Sequence, residues 1–222
     1  MISGSITRAT FLTLLVGAGS FAVAPSAAAA RNESAETYVQ RSAAAALQAL
    51  GNRQVALTSR QQTFYQLMEQ FADMPRVANF VLGRYGAQLR ADAALNAEWN
   101  RTFRDYAIAV YEDRLDSYSD SNLRVVGSTE RVADRDVIVV SEMTPAGGSR
   151  PLRVQWRVLR AGAIWKVVDV SLVLEGNEIW LAQQQQRDFL AALDQNRGDI
   201  RALMVRVRNM TATMRQRVMA NR

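Results

Sequence analysis

Leu152-Arg153-Val154-Gln155-Trp156-Arg157-Val158 sends Leu152, Val154, Trp156 and Val158 to one side of a strand and Arg153, Gln155 and Arg157 to the other. Such alternation marks an antiparallel strand covered on a single face. Working outward, Asn122 to Val132, Asp136 to Thr144, Arg150 to Arg160 and Ala163 to Leu174 all read as strands. Short turns separate them, among them Pro145-Ala146-Gly147-Gly148 and Ala161-Gly162. Connections this short imply a four-stranded antiparallel meander.

On either side of the meander the period lengthens. Ala35 to Leu50 reads as an Ala-rich helix ended by Gly51. Thr58 to Ala72 carries Phe64, Leu67, Met68 and Phe71 on one stripe, and Pro75 opens a short third helix running to about Tyr85. The longest pattern, Ala94 to Ser119, lines up Trp99, Phe103, Tyr106 and Val110 as an apolar and aromatic wall. Asn177 to Asn196 and Asp199 to about Arg217 return to helix. Helices before and after a meander make an α+β domain with its helices packed on one sheet face, in the manner of a nuclear-transport-factor-like cone. The four tryptophans, Trp99, Trp156, Trp165 and Trp180, lie where helix and sheet would meet, so an aromatic-lined volume is expected between them.

The 222 residues include no histidine and no cysteine. That excludes a His general base, Ser-His and Cys-His nucleophile pairs, His metal ligands, zinc ribbons and disulfides. Neither a metal nor a cofactor is expected. Arginine supplies 26 of the 27 basic residues, Lys166 being alone, against 21 acids. The arginines read as dispersed and interleaved with acids, whereas a nucleic-acid footprint would be a clustered stripe, so no nucleic-acid partner is expected. A weak attraction to acidic surfaces is the alternative to a plain solvated coat.

Residues 1–30 run from Arg8 through an apolar stretch, Ala9 to Ala24, to Pro25-Ser26 and Ala27 to Ala30. That order is a secretory signal peptide cleaved near Ala30, and the stretch falls short of the roughly 20 residues a spanning helix needs. A single domain over residues 31–222, located in the periplasm and monomeric, is the expectation.

Trp165-Lys166-Val167-Val168-Asp169-Val170, then Glu175-Gly176, Ile179-Trp180-Leu181-Ala182 and Gln186-Arg187-Asp188-Phe189, resemble the C-terminal half of the MlaC family. These are the periplasmic phospholipid-binding components of the Mla lipid-transport system, also called the toluene-tolerance family. Gly198-Asp199-Ile200-Arg201-Ala202-Leu203 at the end, and Arg60, Phe64, Phe80-Val81-Leu82-Gly83-Arg84-Tyr85, Phe103 and Asp105-Tyr106 upstream, fit the same family in order. The chain departs from the pattern with Val168 in place of a usual Tyr, with the added Ser171-Leu172-Val173-Leu174, and with Asn177-Glu178 before Ile179.

The resemblance implies a carrier that holds a glycerophospholipid in an apolar cavity between helices and sheet. Its partners would be an inner-membrane Mla ABC transporter complex and an outer-membrane Mla lipoprotein complex, between which it would maintain outer-membrane lipid asymmetry. Each buried methylene is worth about 0.8 kcal/mol, so two acyl chains cross water unshielded at a cost on the order of 20 kcal/mol, which such a cavity removes. On this reading Phe80, Leu82, Tyr85, Trp99, Phe103, Tyr106, Val110, Trp156 and Val158 are the candidate lining, and Arg84 the candidate headgroup contact. The residues themselves leave core packing open for the same side chains. Asp169 is the remaining candidate acid or base, against a salt bridge to an arginine or to the neighbourhood of Lys166. Two other readings stay open: a small-molecule enzyme on the same cone using Asp169 with a tyrosine such as Tyr106, and a cavity-free interaction module.

Overall fold

The computed structural model describes residues 30–52, 54–115, 121–144, 148, 151–174 and 176–220. The expected export signal and the turn at 145–147 therefore lie outside the described residues. Seven α-helices and five strands follow in the order α1 (Glu33–Gly51), α2 (Leu57–Phe71), α3 (Met74–Val81), a 3-10 turn (Gly83–Gly86), α4 (Ala87–Ala91), α5 (Ala93–Leu115), β1 (Asn122–Val132), β2 (Asp136–Thr144), β3 (Leu152–Ala161), β4 (Ile164–Leu174), β5 (Asn177–Trp180), α6 (Leu181–Gln195) and α7 (Ile200–Ala220).

The sheet is an antiparallel meander in the spatial order β1-β2-β3-β4-β5. Val137, Val139, Met143, Val154, Val158, Val170 and Leu172 are buried and form the sheet's share of the core. The sheet has five strands rather than the expected four. Asn177–Trp180, read from sequence as the start of a helix, pairs back on β4 with Leu174 opposite Asn177 and Ser171 opposite Trp180. Gly176 takes φ +82° in the turn, a conformation that costs other residues, so the chain reverses there and the helix begins only at Leu181. The added residues Ser171–Leu174 and Asn177–Glu178 are the ones that build this hairpin.

β5 pairs only with the last residues of β4, and the link between α2 and α3 meets β4 further back, at Val167. Ala72 forms a parallel bridge to Val167, and the Asp73 N–H donates to the Val167 carbonyl at 2.9 Å. At the opposite edge the Gln40 side chain of α1 donates to the Leu123 carbonyl at 3.1 Å and accepts from the Val125 N–H at 2.9 Å. The β1 edge is thus occupied at Leu123 and Val125, and β4 is occupied at Val167.

Asn32 starts α1 by accepting the Ala35 N–H at 3.0 Å, and its amide donates to Glu130 at 2.7 Å, which ties the helix to the β1–β2 hairpin. Asp73 caps α3 from Oδ1, and Pro75 sits in its first turn. α3 ends earlier than expected, at Val81, because Gly83 turns to φ +49° and the chain tightens into the 3-10 turn.

The last helix, α7, lies along α5 with Leu203, Met204, Val207, Thr211, Met214 and Val218 buried. Glu98 of α5 accepts from both Arg201 at 2.8 Å and Arg208 at 2.6 Å, and Asp113 accepts from Arg217 at 3.0 Å. Arg208 first, and then Arg201, hold the Glu98 carboxyl below its ordinary pKa. A lowered folded-state pKa means stability that is present above the unfolded value and lost as pH falls through the folded one. Melting temperature is therefore expected to fall between about pH 5 and pH 3, and Glu98→Gln to flatten that slope, measured by circular dichroism across the range.

Candidate functional site

Between α1, α2, α3, α5, β3, β4 and α6 lies an apolar cavity of about 50 Å³. Each wall contributes side chains in the register its element dictates. From α1 come Val39, Ser42, Ala43 and Ala46, one face of an Ala-rich helix. From α2 come Phe64, Met68 and Phe71, from α3 Met74 and Val77, and Ala72 sits in the link between them. Phe103, Ala107 and Tyr111 follow one another at four-residue spacing on α5. The sheet supplies Trp156, Val167, Val168 and Val170, and α6 closes the end with Ala182 and Gln185.

Small side chains make the space and large ones cap it. Ala43, Ala107 and Ala182 are each 4% exposed or less, so their methyl groups are wall rather than surface. Two polar tips are held back from the interior: the Trp156 indole N–H donates to the Ser141 hydroxyl at 2.8 Å, and the Tyr38 hydroxyl donates to the Phe71 carbonyl at 2.7 Å. Burial pushes the Tyr38 phenol up to about 12, so it stays a neutral donor. α2 is the weakest wall. Phe64 is its only buried residue, and the rest of its inner face is half-exposed.

Of the nine candidate lining residues, Phe103 and Trp156 face the cavity. Trp99 and Tyr106 turn instead to Phe189 of α6, at centroid distances of 5.9 and 5.6 Å, and the Trp99 indole donates to the Ala78 carbonyl at 2.8 Å. Val110, Val158 and Leu82 are buried in the core beside it. Phe80 is 42% exposed on α3, its carbonyl accepting from Gln186 at 2.6 Å.

Arg84 and Tyr85 form a lock rather than a mouth. Both donate to Asp194 Oδ1, Tyr85 at 2.6 Å, while Gln88 donates to the Gly198 carbonyl at 3.1 Å. The Tyr85 hydroxyl and the Arg84 guanidinium hold the Asp194 carboxyl below the usual aspartate range. The Leu82-Gly83-Arg84-Tyr85 turn thus fastens the end of α3 to the corner between α6 and α7.

Asp169 lies at the α6 end of the cavity and is 5% exposed. It makes neither of the ion pairs weighed from the sequence. Its Oδ1 accepts the Val170 and Ala182 N–H groups, each at 2.8 Å, so a β4 carboxylate caps the N-terminus of α6. Arg157, opposite Asp169 in register, gives its guanidinium to Asp136 at 2.8 and 3.1 Å. Burial pushes the Asp169 carboxyl above the ordinary aspartate range, opposed by those two N–H bonds and by the charge of Arg157. The tyrosine whose titration responds to Asp169 is Tyr111, not Tyr106: burial raises it and the Asp169 charge raises it further.

The sequence model of the MlaC protein family matches residues 40–209. The chain belongs to the MlaC family. All of the cavity-lining residues but Val39 fall inside that match. A solved phospholipid-binding protein from Ralstonia solanacearum, in complex with a phospholipid, shares the fold at a TM-score of 0.66 and 22% identity, over 81% of this chain and 98% of its own. A comparison with curated protein sequences finds no match.

Proposed function

We propose that this MlaC-family protein is a phospholipid carrier that shields acyl chains in the cavity between α1, α2, α3, α5 and the sheet. The observation that carries the reading is the wall itself, 19 side chains that are almost all hydrocarbon, closed on the outside by a helix with one buried anchor. The related fold from Ralstonia solanacearum, solved with phospholipid bound, supports the ligand class. Apolar burial is the main driving force the site offers, with Ser42, Tyr111 and Gln185 as its polar groups, and no proton transfer is part of this reading.

A cavity of about 50 Å³ admits a few water-sized spheres, whereas pockets for drug-sized ligands run to about 300–1,000 Å³. Loading an acyl chain therefore requires the walls to part. α2 is the element held by the fewest buried side chains of its own, Phe64 alone, so it is the wall we take to part, uncovering the cavity behind it. The carrier would be exported by residues 1–30 to the periplasm and would exchange its load with an inner-membrane transporter complex and an outer-membrane lipoprotein complex.

Native mass spectrometry of protein purified from cells tests the reading directly. A mass increment of one or more phospholipids, lost on delipidation and regained from liposomes, is expected. Repeated lipid-free preparations that take up nothing from liposomes would sink it.

A further inference from the structure

The interleaving of arginines with acids holds only as far as Asn196. Residues 1–196 contain 20 basic and 20 acidic residues, and residues 197–222 contain seven arginines and one aspartate. The net charge of the whole chain, +6, therefore resides in its last 26 residues. Most of these form α7, which carries Arg201, Arg206, Arg208, Arg215 and Arg217 and no acid.

We propose that α7 is a docking face for anionic phospholipid bilayers. The helix is 21 residues and thus about 31 Å long. At 100° per residue Arg201, Arg208 and Arg215 form one row along it and Arg206 and Arg217 a second, with the exposed Val205, Asn209, Thr213 and Gln216 between. Val205 at 56%, Met210 at 38% and Met219 at 57% exposure add apolar side chains to the same outward surface. Glu98 and Asp113 hold Arg201, Arg208 and Arg217, which fixes the helix on the body. Arg206 and Arg215 have no ion pair among the described residues; Arg206 is exposed, and Arg215 stands beside the groove that runs along α5.

A helix with five arginines and no acid of its own, three of them shared with Glu98 and Asp113, and an exposed uncharged strip between the rows match a plane of phosphates, to which guanidinium forks donate bidentately. An acidic protein knob would need a recess of one sign. The groove that runs beside α7 is of mixed sign, with Glu98 and Asp105 among Arg101, Arg208 and Arg215. α7 touches α5 through Glu98, Thr102 and Asp113, on the side opposite Phe103, Ala107 and Tyr111. Docking on α7 thus leaves the cavity side of the molecule free, and it goes beyond the carrier reading without depending on it.

Flotation with phosphatidylcholine vesicles, with and without phosphatidylglycerol, tests the proposal. Binding is expected only to the anionic vesicles at low salt, and to be lost at about 0.5 M salt, where screening is short-ranged. Arg206→Glu with Arg215→Glu is expected to weaken partition about tenfold or more, because reversing two charges at the surface lowers its net charge by four units. Arg135→Glu in the β1–β2 turn with Arg153→Glu on β3 changes net charge equally and is expected to have little effect. No partition by the unaltered protein, an equal loss in the sheet variant, or binding to polyglutamate but not to vesicles would each overturn it. Ala107→Trp, which fills the cavity, is expected to lose its lipid yet bind vesicles normally, whereas unaltered protein that floats but never carries lipid would strike the carrier reading and leave this one standing.

Discussion

Ala107→Trp is expected to strip the protein of bound phospholipid while leaving it folded. Ala107 stands on α5 between Phe103 and Tyr111, one turn from each, and is 3% exposed. An indole there enters the cavity, the region bounded by Ala43 and Ala46 of α1 and Val167 and Val170 of β4. Overpacking of this kind costs about 1–3 kcal/mol, less than the roughly 5–15 kcal/mol by which domains are stable. An acyl chain competing for the same volume would have to displace the ring, so lipid occupancy in native mass spectra is expected to drop by about tenfold or more. Ala43→Leu, from the facing helix, is the milder companion and is expected to lower occupancy with a smaller loss of melting temperature. Retention of lipid at the unaltered level in both variants, with circular dichroism intact, would place the ligand elsewhere and break the proposed function.

The same cavity shows what the chain discloses as letters and what it withholds. β1 to β4 and helices α1, α2, α5 and α7 follow from alternation and stripes, since burial on one face imposes period 2 or 3.6 on composition. β5 does not, because four residues are too few for a period and its pairing is decided by the turn at Gly176. The lining was legible in part. Large aromatics announce themselves, but Trp99 and Tyr106 spend their rings on Phe189, whose position depends on how α6 returns across the fold. What opens the space is the alanines, Ala43, Ala46, Ala107 and Ala182, and an alanine in a helix looks the same whether it meets a neighbour or a void. The Ala-rich run of α1 beside an aromatic helix was the available signal. The charge of α7 was equally present in the letters, hidden by an average over the whole chain.

Asp169→Ala is expected to produce the largest loss of stability, because it removes a cap that comes from outside the helix it caps. Two buried N–H groups, Val170 and Ala182, lose their acceptor at once. Each orphaned donor costs about 1–3 kcal/mol, so a loss of about 2–6 kcal/mol and roughly 4–24 °C in melting temperature is expected. The damage reaches the site, since Ala182 and Gln185 at the start of α6 line the cavity, and lipid occupancy is expected to fall with stability. Asp169→Asn separates this role from chemistry. Its Oδ1 still accepts both N–H groups, so a cap survives the change at a cost of about 1 kcal/mol, and bound lipid is expected to remain. The pH dependence carries the sign. Burial raises the folded-state pKa of Asp169, so its contribution to stability is complete below the ordinary aspartate value and declines as pH rises through the folded one. The margin of the unaltered protein over Asp169→Asn is therefore expected to be widest in acid and to narrow toward neutrality. A margin that instead widened with pH would mean that the ionised carboxylate is favoured in the fold, and that Arg157 or another cation outweighs burial there.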